Sequence, residues 1–196
     1  MLKSVSSKIA DTLEGKGIIQ ESDKEVCAYG LRQMILSVLN FLTTLIIGLL
    51  MGRFVCAMIF TMAYIPLRIY AGGYHASTPK RCWVFSALML IAALSILKYA
   101  PLLWLKNLTP LSLVSIAVII LLSPVEDVNK PLDDKEHRVY RVRAITVMLI
   151  EIIAFTAFLI FKLEIFFISM EISWFALSVI LIIGKIKNHF IKDDFE

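Results

Sequence analysis

Charge is scarce in this chain. Of its 196 residues only 18% are Asp, Glu, Lys or Arg, while 59% are hydrophobic. A soluble domain averages roughly 25% charged and about 45–50% apolar. A water-soluble fold of this size could not hide so much apolar surface. Cysteine is sparse as well. Cys27, Cys56 and Cys82 form an odd set at wide spacing, which argues against a disulfide framework. Histidine is limited to His75, His137 and His189. His75 and Cys82 have no second pair at metal-ligand spacing, and no HExxH occurs, so neither a metal nor another cofactor is expected. No repeat of solenoid period and no low-complexity linker breaks the chain. The first thirty or so residues lack a short apolar core and a small-residue cleavage site, so a cleavable signal peptide is not expected. These absences leave one membrane domain: an amphipathic region 1–30, a bundle over 31–184 and a tail over 185–196.

What is present is built for lipid. Mean hydropathy is +0.80. A bilayer crossing needs about 20 apolar residues, range roughly 17–25. Six apolar runs qualify, near 31–51, 54–71, 83–100, 107–124, 144–162 and 165–184. The expectation is an all-α integral membrane protein of about six spans. The second and third runs contain Pro66 and Arg68 or lead into Pro101, so either could be broken or re-entrant. With the N-terminus inside, every cation except Arg53, Lys98, Lys106 and Lys162 falls on the inner side. Both termini then face the cytoplasm in a multi-pass cell-membrane protein. The net charge of +4 is a topology signal and needs no nucleic acid to explain it; contact with membrane lipids is expected. Leu2, Val5, Ile9, Leu13 and Ile18 recur at helical spacing among charges, with Gly15 and Gly17 at the end. This is either an interfacial helix or a soluble cap helix. Residues 20–29 read as a second short polar helix.

Two acids, Glu151 and Glu171, fall inside spans. They are either functional or protonated and hydrogen-bonded between helices. Two polar islands carry the rest of the chemistry. One is the loop 123–143, with Lys130, Lys135, Arg138, Arg141 and Arg143. The other is RIYAGGYHASTPKRC, from Arg68 to Cys82. There Thr78 is a good N-cap and Pro79 suits the first helical position. Cys82 then falls at the fourth helical position. The helix dipole and the neighbouring Lys80 and Arg81 favour a nucleophilic sulfur there. The Gly72–Gly73 turn can fold His75 toward it, so a Cys–His pair is reachable. Backbone N–H groups of this segment could serve as an oxyanion hole. Taken alone, one Cys and one His seven residues apart remain a weak signal.

The pattern Arg68-x-x-x-Gly72-Gly73-x-His75-Ala76, then Cys82 and a span, resembles the accessory gene regulator B family. Those proteins are membrane cysteine endopeptidases that process quorum-sensing propeptides. Chain length, six apolar runs and Pro124, Asn129, Lys130, Pro131 and Leu132 agree with it. The resemblance implies Cys82 as nucleophile, His75 as general base and acid, an acyl-enzyme thioester, and closure of a thiolactone or lactone ring. It also implies a homodimer acting on an autoinducer propeptide at the cytoplasmic face. The acidic tail of that substrate would meet Arg68, Lys80, Arg81 and the cations of the second island. Glu126, Asp127 and Asn129 are candidates to orient His75. Two other classes stay open on residues alone: a small transporter, suggested by Arg68, Glu151 and Glu171, and a non-catalytic membrane adaptor.

Overall fold

The computed structural model describes residues 2–74, 78–126 and 132–193. Among them every regular element is helical. Two compact units divide the chain, Met1–Thr43 and Thr44–Glu196.

In the first unit, α1 spans Leu2–Gly15 and α2 begins at Lys24, running to Leu50. The end of α1 is sealed by Gly17 N–H donating to the Glu14 carbonyl (2.8 Å) and Ile18 N–H donating to that of Leu13 (3.0 Å), the crossed pair of bonds that satisfies a helix's last carbonyls. Lys24 reaches back to Asp11 at 2.8 Å and Glu14 at 2.7 Å. Ser6 and Ala10 are buried, while Val5 and Ile9 stay exposed. Of the apolar stripe, Val5 and Ile9 thus lie on the open face and Leu13 is half-buried. Residues 20–29 do not form a separate helix. A 3₁₀ turn, Glu21–Asp23, runs straight into α2.

The second unit holds α3 (Phe54–Ala71), α4 (Pro79–Tyr99), α5 (Leu102–Asn107), α6 (Thr109–Leu122), α7 (Asp134–Ile160) and α8 (Glu164–Asp193). Among the described residues five helices are long and apolar enough to cross a membrane; α6 is shorter. Two expectations change here. The runs 54–71 and 83–100 are continuous helices, and α3 carries Pro66 inside it. The run near 107–124 is the shortened one. Its helix starts only at Thr109, with Pro110 in the first turn, and spans 14 residues, below the roughly 17 that a crossing needs.

Helix α8 lies at the centre and packs on α3, α4, α6 and α7. Trp174, Leu177 and Leu181 are fully buried in it, among Ala63, Leu67, Met148 and Phe155. The exterior is apolar: Met62 is 74% exposed and Ile153 71%, which suits hydrocarbon and not water. Polar groups lie inside instead. The Trp174 indole N–H donates to Glu151 Oε2 at 2.6 Å, joining α8 to α7. Interhelical hydrogen bonds of this kind are worth roughly 0.6 kcal/mol in membranes. Glu171 has Thr109 beside it. Both acids therefore sit between helices, as the structural alternative requires.

Candidate active site

Helix α4 begins as its sequence dictates. Thr78 adopts an extended conformation, and its hydroxyl accepts from Arg81 N–H at 3.3 Å. Such a cap is worth about 1 kcal/mol. Pro79 has no N–H to leave unpaired. The Cys82 N–H donates to the Thr78 carbonyl at 3.0 Å. Cys82 thus occupies the fourth helical position, half-buried and with a free thiol. Lys80 and Arg81 beside it are exposed. Cys56, by contrast, is buried with Phe60, Leu90 and Leu94.

The glycine turn is stitched tightly in place. Gly72 has φ 71° and ψ −141°, and Gly73 has φ 111°. The Gly72 N–H donates to the Arg68 carbonyl (3.2 Å), that of Gly73 to Val125 (3.0 Å) and that of Tyr74 to Ile180 (3.2 Å); Val125 N–H returns a bond to Ala71 (2.8 Å). The three amides of Gly72, Gly73 and Tyr74 are therefore engaged. Of the two roles expected for Gly72 and Gly73, oxyanion donor and loop support, these bonds accord with loop support. The Gly72 N–H is taken by the end of α3, and only that of Gly73 by the short parallel bridge between Gly72 and Val125.

Arg68 closes the same turn. Its guanidinium donates to the carbonyls of Gly72 and Tyr74. It organises the segment leading to His75 rather than projecting away from it.

The second island is largely helix, not loop. Asp133 caps α7: its carboxylate accepts from Glu136 N–H at 2.6 Å, and Glu136 accepts in return from Asp133 N–H. Lys135, Arg138, Arg141 and Arg143 consequently ride on the first turns of a helix. They are not equivalent. Arg141 donates to the Ser123 carbonyl at 3.2 Å, and Arg143 lies 5.6 Å from the centre of the Tyr70 ring. Lys135 and Arg138 are exposed, and no ion pair is present for them among the described residues. Glu126 is half-buried, and its carbonyl accepts from the Asn188 carboxamide at 2.7 Å. His75, Asp127, Asn129 and Lys130 lie outside the described residues.

One end of the second unit thus gathers the ends of α3, α6 and α8 and the starts of α4 and α7. The ring of Tyr74 lies 5.9 Å from that of Phe85, one turn past Cys82. Two cavities at the other end, lined by Arg53, Cys56 and Ile165, hold none of the candidate residues. Sequence reasoning missed Val125, Ile180, Gly184 and Asn188, whose contacts are long-range.

No curated protein and no solved structure matches this chain. The family model described as accessory gene regulator B matches residues 6–185. With its apolar exterior and membrane-length helices, the chain is a membrane protein that belongs to the accessory gene regulator B family and so to the accessory gene regulator quorum-sensing system.

Proposed function

We propose that this protein is a cysteine endopeptidase that removes the C-terminal tail of an autoinducer propeptide at the cytoplasmic membrane face. The observation that carries the reading is Cys82 in the first turn of a capped helix, half-buried, beside the stitched turn that leads to His75. The helix N-terminus supplies positive potential for a sulfur anion. Family membership adds the association with propeptide processing.

The Cys82 sulfur attacks the carbonyl carbon of the scissile bond. His75 takes the thiol proton and delivers it to the departing amine as the C–N bond breaks. The acyl group remains on Cys82 as a thioester. A thiol or hydroxyl of the same substrate then attacks that carbonyl, the bond to Cys82 breaks, and a thiolactone or lactone ring closes. Exchange between thioesters needs no nucleotide. Two copies act together as a homodimer, with membrane lipid around them.

An impermeant thiol-reactive probe tests the chemistry and the sidedness together. Inside-out vesicles should label rapidly at Cys82, and His75→Ala should slow the labelling. Intact cells should not label there. Labelling of Cys82 that is as slow as Cys27 in both preparations favours a transporter or adaptor instead.

Substrate recognition rests on the exposed cations. Individual exposed charge pairs are worth about 0–1 kcal/mol and are screened by salt. Lys135→Gln or Arg138→Gln alone should therefore lower cleavage only modestly. Combining them with Lys80→Gln, Arg81→Gln and Lys130→Gln should raise KM strongly, and rising salt should slow the unmodified enzyme. Normal cleavage by the combined variant would reduce these cations to topology signals. Arg68 and Arg141 belong to a different test, because their donors already serve backbone carbonyls.

A further inference from the structure

We propose that the carboxy-terminal end of α8, from Ile180 to Asn188, is a positioning element for the catalytic pair, with the Asn188 carboxamide as its decisive polar contact. This rests on the peptidase reading above and extends it to residues with no chemical step of their own.

Two anchor points carry the argument. Tyr74 directly precedes His75, and its N–H is held by the Ile180 carbonyl at 3.2 Å. Glu126 directly precedes Asp127, one of the candidates to orient His75, and its carbonyl is held by Asn188 at 2.7 Å. One helix therefore fixes where both segments leave the bundle. The spacing of Ile180, Gly184, Lys187 and Asn188 places all four on one face of α8. Gly184 lets that face approach the turn: a Cβ there would stand 2.6 Å from the Tyr74 nitrogen and 2.8 Å from the Gly73 carbonyl carbon. Lys187 lies 5.1 Å from the centre of the Tyr74 ring, and that ring meets Phe85 on the helix that carries Cys82. The chain of contacts runs from α8 through Tyr74 to α4. Lys187 and Asn188 lie beyond the family-matched segment, which stops at residue 185.

Catalysis by a pair of side chains from separate elements depends on their mutual placement. A displacement of about 1 Å caused far from the chemistry can cost roughly 10²-fold in rate. Asn188 has the means to prevent such a displacement on the second segment, as Ile180 has on the first.

The test uses the full-length protein in membranes, a synthetic propeptide, and rates normalised to folded protein. Asn188→Asp is nearly isosteric but cannot donate to the Glu126 carbonyl. It should lower kcat by roughly 10–100-fold with little change in KM, as loss of placement does and loss of substrate binding does not. Asn188→Gln keeps the donor and should recover part of the rate. Lys187→Met provides a second variant should Asn188→Asp accumulate poorly, and it should lower kcat less. An unchanged kcat in Asn188→Asp overturns the inference, as does a rise in KM alone. Cys82→Ala is measured beside them. If it is inactive while Asn188→Asp is normal, only the positioning role fails. If Cys82→Ala still cleaves, the peptidase reading itself fails.

Discussion

Cys82→Ala is expected to eliminate propeptide cleavage while the protein accumulates normally in the membrane. Cys82 is half-buried at the start of α4 and belongs to neither apolar core. Its backbone bond to Thr78 and the cap formed by Thr78 do not involve the sulfur. Loss of activity would then report chemistry, not folding. His75→Ala should slow cleavage by roughly 10²–10⁴-fold, the usual worth of general acid–base help. His137→Ala and His189→Ala should be mild. Cys27→Ala should cleave normally. Cys56→Ala removes a buried group packed with Phe60 and Leu94, so it should lower the amount of protein more than its specific rate. Processing by Cys82→Ala would falsify the covalent mechanism.

Much of the site's frame is legible in local sequence. Thr78-Pro79 announces a helix start, and the structure has it there, with Cys82 at the expected position. The Gly72–Gly73 pair announces a turn and is one. A second local signal marks the start of α7. Asp133 followed by Glu136 is a capping-box spacing, and it starts α7 well before its apolar run; the flanking basic residues look like a loop only if that cap is overlooked. The short α6 was hidden for a different reason. Counting apolar residues measures hydropathy, not helical continuity: the break at Leu108 is flanked by Lys106, Asn107, Thr109 and Pro110, polar and turn-forming residues that a hydropathy count averages away. The partners of the turn were not legible at all. Val125, Ile180 and Asn188 are far from Gly72 in sequence, and nothing local marks a residue whose carbonyl or carboxamide will be used by another segment. Arg68 shows the same limit: the sequence offers a cation, and only the fold shows its donors engaged by Gly72 and Tyr74.

Gly72→Ala should be nearly as damaging to cleavage as loss of the nucleophile. Two independent costs meet at this position. The backbone, at φ 71° and ψ −141°, lies near a region used almost only by glycine, where another residue carries strain of about 1–3 kcal/mol. A Cβ would also collide with the Val125 carbonyl oxygen. That neighbour is backbone and cannot swing aside as a long side chain would. Relief requires parting the two segments, which breaks the bond from Gly73 to Val125 and the bond from Val125 to Ala71. The turn that delivers His75 would then lose its seat, and Arg68 its carbonyl partners. A fall in specific cleavage rate of roughly 100-fold or more is expected, on the basis that small misplacements are this costly. The cap of α4 joins Thr78 to Arg81 and does not involve Gly72, so Cys82 should still react with a small alkylating reagent. Gly30→Ala is the matched control. It lies within α2 with open space around it, and alanine there should be neutral or stabilising by up to about 1 kcal/mol. Wild-type cleavage by Gly72→Ala would mean that the bridge between the two segments is dispensable to catalysis.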